Sequence, residues 1–132
     1  MIRVLAVCKA VRFIRFIEPH LEQHGIRFVQ ICNSSEQASQ VYEQIKPDVV
    51  IMDANWASRP RAISSVELIG RLRKINSACK IIVSTNMNEP DTAKRLKEYG
   101  INGYFYRSAD NVIDVIAECI KTVFREKNVL VD

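Results

Sequence analysis

Five short runs of almost unbroken apolar residues recur along the chain, at residues 2–7, 27–31, 48–52, 80–84 and 103–106. Each is followed by a segment whose apolar residues repeat at the helical period. A strand with one face in water alternates polar and apolar residues; a strand apolar throughout is covered on both faces, as in a parallel sheet between helices. Parallel neighbours need a crossover connection, and the crossover is right-handed. A β–α unit repeated five times therefore predicts an α/β fold, a doubly wound five-stranded parallel sheet with helices on both faces. At 132 residues and 15.1 kDa the chain has the length of one domain with a real core.

The helical segments carry their own punctuation. The first covers residues 12–24 and closes at Gly25, with Pro19 inside it predicting a kink or a later start. The second covers 35–45 and opens with Ser34-Ser35-Glu36-Gln37, which resembles a capping box. The third, 64–75, places Val66, Ile69, Leu72 and Ile75 on one face. A fourth is capped by Asn88, has Pro90 near its first turn and is followed by Gly100. The fifth, 109–126, carries the stripe Val112, Ile113, Ile116, Cys119, Ile120, Val123, which reads as core.

Composition excludes several classes. Charged residues at 26% and hydrophobic ones at 48% are those of a globular domain, and no apolar run approaches the roughly 20 residues that span a bilayer. The first apolar run is too short for a signal peptide, so a cytoplasmic location and no membrane partner are expected. The net charge of +4 is small and spread along the chain, so nucleic-acid binding by this domain is not expected. The four cysteines form no CxxC pair, which argues against zinc; Cys32, Cys79 and Cys119 read as small core residues, whereas Cys8 lies at a strand end. No glycine follows the first strand, so no phosphate loop supports a nucleotide enzyme. His20 and His24 are spaced i, i+4 but lack further ligands nearby and read as solvent-facing residues.

In a sheet of this kind, sites form at the carboxyl ends of the strands. The third run, VVIM, ends there on Asp53, alongside Cys8-Lys9, Ser84-Thr85 and Arg107. A carboxylate so placed can take up a phosphoryl group as an acyl phosphate, given a cation on the transferring oxygens and a hydroxyl to hold the group. Arg107 and Thr85 are candidates for those two roles. Equally, Thr85 merely ends a strand and Arg107 merely pairs with Asp53; spacing alone leaves both open.

PDVVIMD, IIVST and GINGYFYR, in that order and at nearly that spacing, resemble the response-regulator receiver domain of two-component signalling over the whole chain. The fifth helix is also similar to receivers that precede a helix-turn-helix output domain. The resemblance implies a (βα)5 flavodoxin-like fold with strand order 2-1-3-4-5. By position it makes Asp53 the phospho-acceptor, Thr85 the switch hydroxyl and Tyr104 the switch aromatic, and sets Arg107 where the family has a lysine. It further implies contacts through the fourth helix, fifth strand and fifth helix. There Lys94, Arg95 and Lys97 face Asp110, Asp114 and Glu118 across helices, a charge pattern suited to a homodimer.

The departures from the family pattern bear on chemistry. Cys8-Lys9 stands where receivers carry the acidic pair that holds magnesium, a hard cation wanting oxygen ligands. Ser108 replaces a frequent proline, and the loop after Asp53 is about four residues longer than usual and carries Trp56, Arg59 and Arg61. Those three form either a recognition surface or an ordinary solvated loop. The reading that follows is an atypical receiver, not an enzyme, acting in signal transduction and transcriptional regulation through protein contacts. A salt bridge from Asp53 to Lys9, Arg107 or both fixes its switch, without cofactor or metal. The alternative is a receiver still phosphorylated on Asp53 with Mg²⁺ in a phosphorelay. Expected partners are a second copy and a histidine kinase or other signalling protein, with DNA reached only through an output domain outside this chain. Residues 1–126 form the domain and 127–132 a tail or the start of a linker.

Overall fold

The computed structural model describes residues 1–54, 65–85, 96–107 and 110–126. The chain alternates β1 (Ile2–Val7), α1 (Val11–Glu22), β2 (Ile26–Cys32), α2 (Ser35–Ile45), β3 (Val49–Asp53), α3 (Ser65–Ile75), β4 (Ile81–Thr85), α4 (described at 96–98), β5 (Gly103–Tyr106) and α5 (Val112–Arg125). All pairings are parallel and the sheet order is β2-β1-β3-β4-β5. The apolar runs are thus strands buried on both faces, as their lack of alternation predicted.

Alternate strand residues feed two cores. On one side Val4, Ala6, Ile51, Ile82 and Phe105 meet Ile14, Ile17 and Leu21 of α1 and Ile116, Ile120 and Val123 of α5. On the other, Leu5, Val50, Met52, Ile81 and Val83 meet Tyr42 of α2, Leu68, Ile69 and Leu72 of α3, and Leu96 of α4. Cys8, Cys32 and Cys79 are buried and Cys119 is half-buried; all four are free thiols.

Local corrections follow from burial. The buried stripe of α3 is Ser65, Leu68, Ile69 and Leu72, because the helix turns Val66 to its flank and leaves Ile75 40% exposed. Pro19 neither shifts the start of α1 nor ends it. It lies on the exposed face together with Arg15, whose carbonyl loses its amide partner where water can replace it. Ser34 is the N-cap of α2 in extended geometry, yet its side chain makes no capping bond. β2 is longer than expected because it bulges against β1 between Val4 and Leu5. Two helix ends are capped from the starts of strands: Arg3 of β1 donates to the Lys46 and Ile45 carbonyls at 2.9 and 2.8 Å, and Lys80, just before β4, to those of Phe124 and Glu126 at 2.7 and 2.6 Å. Trp56, Arg59, Arg61, Asn88, Pro90, Lys94, Arg95, Ser108 and the tail 127–132 lie outside the described residues.

Candidate functional site

Parallel register aligns the strand ends. Val7 pairs with Met52, Asp53 with Ser84, and Thr85 with Tyr106, so Cys8, Asp53, Thr85 and Arg107 emerge at one edge of the sheet. Main-chain bonds hold the edge beyond the strands: Cys8 N–H donates to Cys32 at 2.9 Å, Ala54 to Ser84 at 2.9 Å, and Arg107 to Thr85 at 3.0 Å. Ser65, the first residue of α3, donates its hydroxyl to the Asp53 carbonyl at 2.8 Å, which ties the start of α3 to the end of β3.

The Asp53 carboxylate is engaged at both oxygens. Arg107 Nη1 lies 3.0 Å from Oδ1, and the Lys9 backbone N–H donates to Oδ2 at 3.0 Å. The side chains of Arg107 and Asp53 are 24% and 17% exposed, so the pair is neither a surface bridge nor fully dry. Burial raises the Asp53 pKa above the ordinary carboxylate value, opposed by the Lys9 N–H, the Arg107 guanidinium and the Lys9 charge. The sequence left open whether Lys9, Arg107 or both would bridge this carboxylate. Arg107 does so through its guanidinium, and Lys9, an exposed residue, adds a bond from its backbone N–H.

Beside the carboxylate, Cys8 is 6% exposed and its thiol is pushed up to about 12, first by burial and then by the charge of Asp53. It is a protonated, soft group. A hard divalent ion would meet one carboxylate, already bridged to a guanidinium, and a thiol in place of a second oxygen donor, so these residues do not fit magnesium. Among the described residues no group of three or more His, Cys, Asp or Glu is placed to hold a metal. His20 lies tilted against Phe16 with ring centres 5.9 Å apart, and His24 Nδ1 faces Lys121 Nζ at 3.4 Å, so each histidine has its own separate contact.

Thr85 is 1% exposed at the end of β4, and Tyr104 lies one strand over with Lys97 Nζ 5.2 Å above its ring and Tyr106 edge-on at 5.9 Å. Lys97, Asp110 and Asp114 are exposed. One site residue was missed from sequence: Ser65, which lies 12 positions beyond Asp53 and carries no local signal for the contact. Ser84, read from sequence as a neighbour of Asp53, pairs with it across the sheet and has its hydroxyl buried without a partner among the described residues.

The family model for the response regulator receiver domain matches residues 5–117. A receiver domain protein from Clostridium thermocellum superposes with a TM-score of 0.77 at 18% identity, covering 94% of each chain. A LuxR-family DNA-binding response regulator from Staphylococcus aureus gives 0.78 at 17%, covering 94% of this chain and 99% of its own. A LuxR-family two-component regulator from Aurantimonas sp. gives 0.78 at 20%, covering 92% and 84%. At these identities the structural likeness is one of fold. Among curated proteins none matches the chain.

Proposed function

The chain belongs to the response regulator receiver domain family, and on that premise we propose that it is an atypical member that signals through protein contacts rather than by magnesium-dependent phosphorylation. The observation that carries this reading is the state of Asp53: Arg107 at 3.0 Å on one oxygen and the Lys9 N–H at 3.0 Å on the other. An in-line attack on a phosphoryl donor needs a free carboxylate oxygen and a cation on the transferring oxygens. Here the guanidinium neutralises the nucleophile itself. The bridge joins the end of β3 to the residue after β5 and so holds the Thr85–Tyr104 neighbourhood in one arrangement. In this role the domain is a signalling module and not an enzyme, located in the cytoplasm. Its partners are a histidine kinase or another signalling protein, and DNA is reached only through an output domain outside this chain. A second copy is a further partner, with Lys97 of one protomer against Asp110 and Asp114 of the other.

A second reading, phosphorylation on Asp53 in a phosphorelay, is favoured by the carboxylate's residual 17% exposure at the strand end, next to Thr85. Acetyl phosphate with Mg²⁺, followed by intact mass, separates the two. The expected result is no adduct on the wild type, with labelling gained in Cys8→Asp/Lys9→Asp/Arg107→Lys. A Mg²⁺-dependent adduct on the wild type that disappears in Asp53→Asn would overturn the proposal.

A further inference from the structure

Among the described residues the edge strand β5 pairs with β4 alone, so alternate residues turn their main-chain N–H and C=O away from the sheet. The other edge strand, β2, is blunted by its bulge and by exposed Arg27 and Gln30. No register shift interrupts β5. Along it runs an open groove of about 400 Å³, bounded by residues 101–104 on the strand side, Glu118, Cys119, Thr122, Val123 and Glu126 on the α5 side, and Lys97. Gly103 brings α5 close: a Cβ there would meet Cys119 Sγ and Val123 Cγ2 at 3.1 Å.

The charge of this groove runs against that of the chain. Overall there are 19 basic and 15 acidic residues, yet the lining has two carboxylates to one ammonium. Asp114 and Glu118 are spaced i, i+4 on α5, and Glu126 lies two turns further on. Asp114 in the first turn suits the helix dipole, but Glu126 at the C-cap opposes it, so that carboxylate brings α5 no gain. No described residue forms an ion pair with any of the three. Lys121, the lysine nearest Glu118 in sequence on α5, turns to His24 instead. Lys97 stacks on Tyr104.

We infer that the β5 edge and its acidic wall form a docking groove for an extended basic peptide segment of a partner protein, added as a strand beside β5 with its Lys or Arg side chains against Glu118 and Glu126. The inference rests on the reading of this face as a contact surface and names a second occupant for it. Main-chain bonds would supply the affinity and the carboxylates the choice of sequence. With only four residues in the strand, the ladder is short and the binding weak, on the order of 100 μM. Such a peptide and a second copy compete for one face, so binding also shifts any dimer toward monomer.

The test uses the ¹⁵N-labelled full chain and three synthetic pentapeptides: Lys-Val-Thr-Val-Lys, its Glu-for-Lys counterpart, and the lysine peptide N-methylated along its backbone. The lysine peptide should shift the Gly103 and Phe105 amides saturably, with each control about tenfold weaker or more. Glu118→Lys/Glu126→Lys, both exposed positions, should reverse the preference between the two charged peptides. Equal binding of the N-methylated peptide, or an unchanged preference in the charge-swapped variant, would overturn the inference. Silence of both amides with a folded protein sinks it as well. Sedimentation separates the two proposals: a dimer that persists with silent amides removes the peptide and keeps the second copy, whereas saturable shifts on a monomer do the reverse.

Discussion

Asp53 and Arg107 illustrate how far residue types alone can be trusted. A salt bridge from Asp53 to Lys9, Arg107 or both was expected, and Arg107 makes one at 3.0 Å from beyond β5, two strands away. The second bond to Asp53 was hidden, because its donor is the Lys9 backbone and a side-chain alphabet does not record main-chain donors. The energetic consequence is testable. Removing the guanidinium leaves a largely buried carboxylate with one N–H for support, and breaking such a pair costs several kcal/mol in a dry interior and less where water reaches. At 17% and 24% exposure, Arg107→Met is expected to lower stability by about 1–3 kcal/mol at neutral pH by urea unfolding. The sign with pH is fixed by the raised pKa of Asp53, which loss of Arg107 raises further. A carboxyl with a folded pKa above its unfolded value disfavours folding when ionised, and the penalty fades as pH falls through that folded pKa. The Arg107→Met deficit should therefore shrink on acidification and be recovered largely by Asp53→Asn/Arg107→Met. A deficit that is flat with pH would mean that the arginine acts through packing of its stem.

The helices and strands were mostly legible because each is repeated evidence: a period, a cap, a stop. Where only one signal was present, the reading slipped. In α3 four apolar residues at spacings of three suggested a stripe through Ile75, but 3.6 residues per turn carries that series off the face, and Leu68 takes the buried place. Caps supplied from elsewhere in the chain, Arg3 for α2 and Lys80 for α5, have no local signature at all, since they join residues more than 40 apart. The seating of α5 on β5 depends on a missing side chain. Gly103 has ordinary extended geometry, so its need is for space, not for a special φ. Gly103→Ala should cost about 1–2 kcal/mol by thermal or urea unfolding, as overpacking does, because Cys119 and Val123 both stand at 3.1 Å. Cys119→Ala in the same chain should relieve part of it. An unchanged stability would show that α5 has slack against the sheet, and the α5 wall of the groove beside β5 would have to be redrawn.

At the scale of the whole molecule, one sheet is shared by two cores, and their independence is limited by that sheet. Ile82 and Phe105 serve the α1–α5 side, while Ile81 and Val83, their immediate neighbours, serve the α2–α3–α4 side. A defect on either side is thus transmitted through the same hydrogen-bonded strands, and unfolding is expected to be a single event. Ile120→Ala empties the first core and Leu68→Ala the second; both residues are at most 1% exposed, and each change should cost about 2–4 kcal/mol. Since the two positions share no core, the costs should add to about 4–8 kcal/mol, a large part of the 5–15 kcal/mol that a domain of this size has in total. Each single variant should melt in one transition seen identically by far-ultraviolet and by near-ultraviolet circular dichroism, the latter sensitive to buried Tyr42, and the double variant should be substantially unfolded at 37 °C. Two separated transitions in either single variant would mean that one helical layer can leave while the sheet persists. In that case the α1–α5 layer would carry away the α5 half of the face where α4, β5 and α5 meet, while the α2–α3–α4 layer and its α4 half stayed in place, and that face would have to be treated as two surfaces rather than as one.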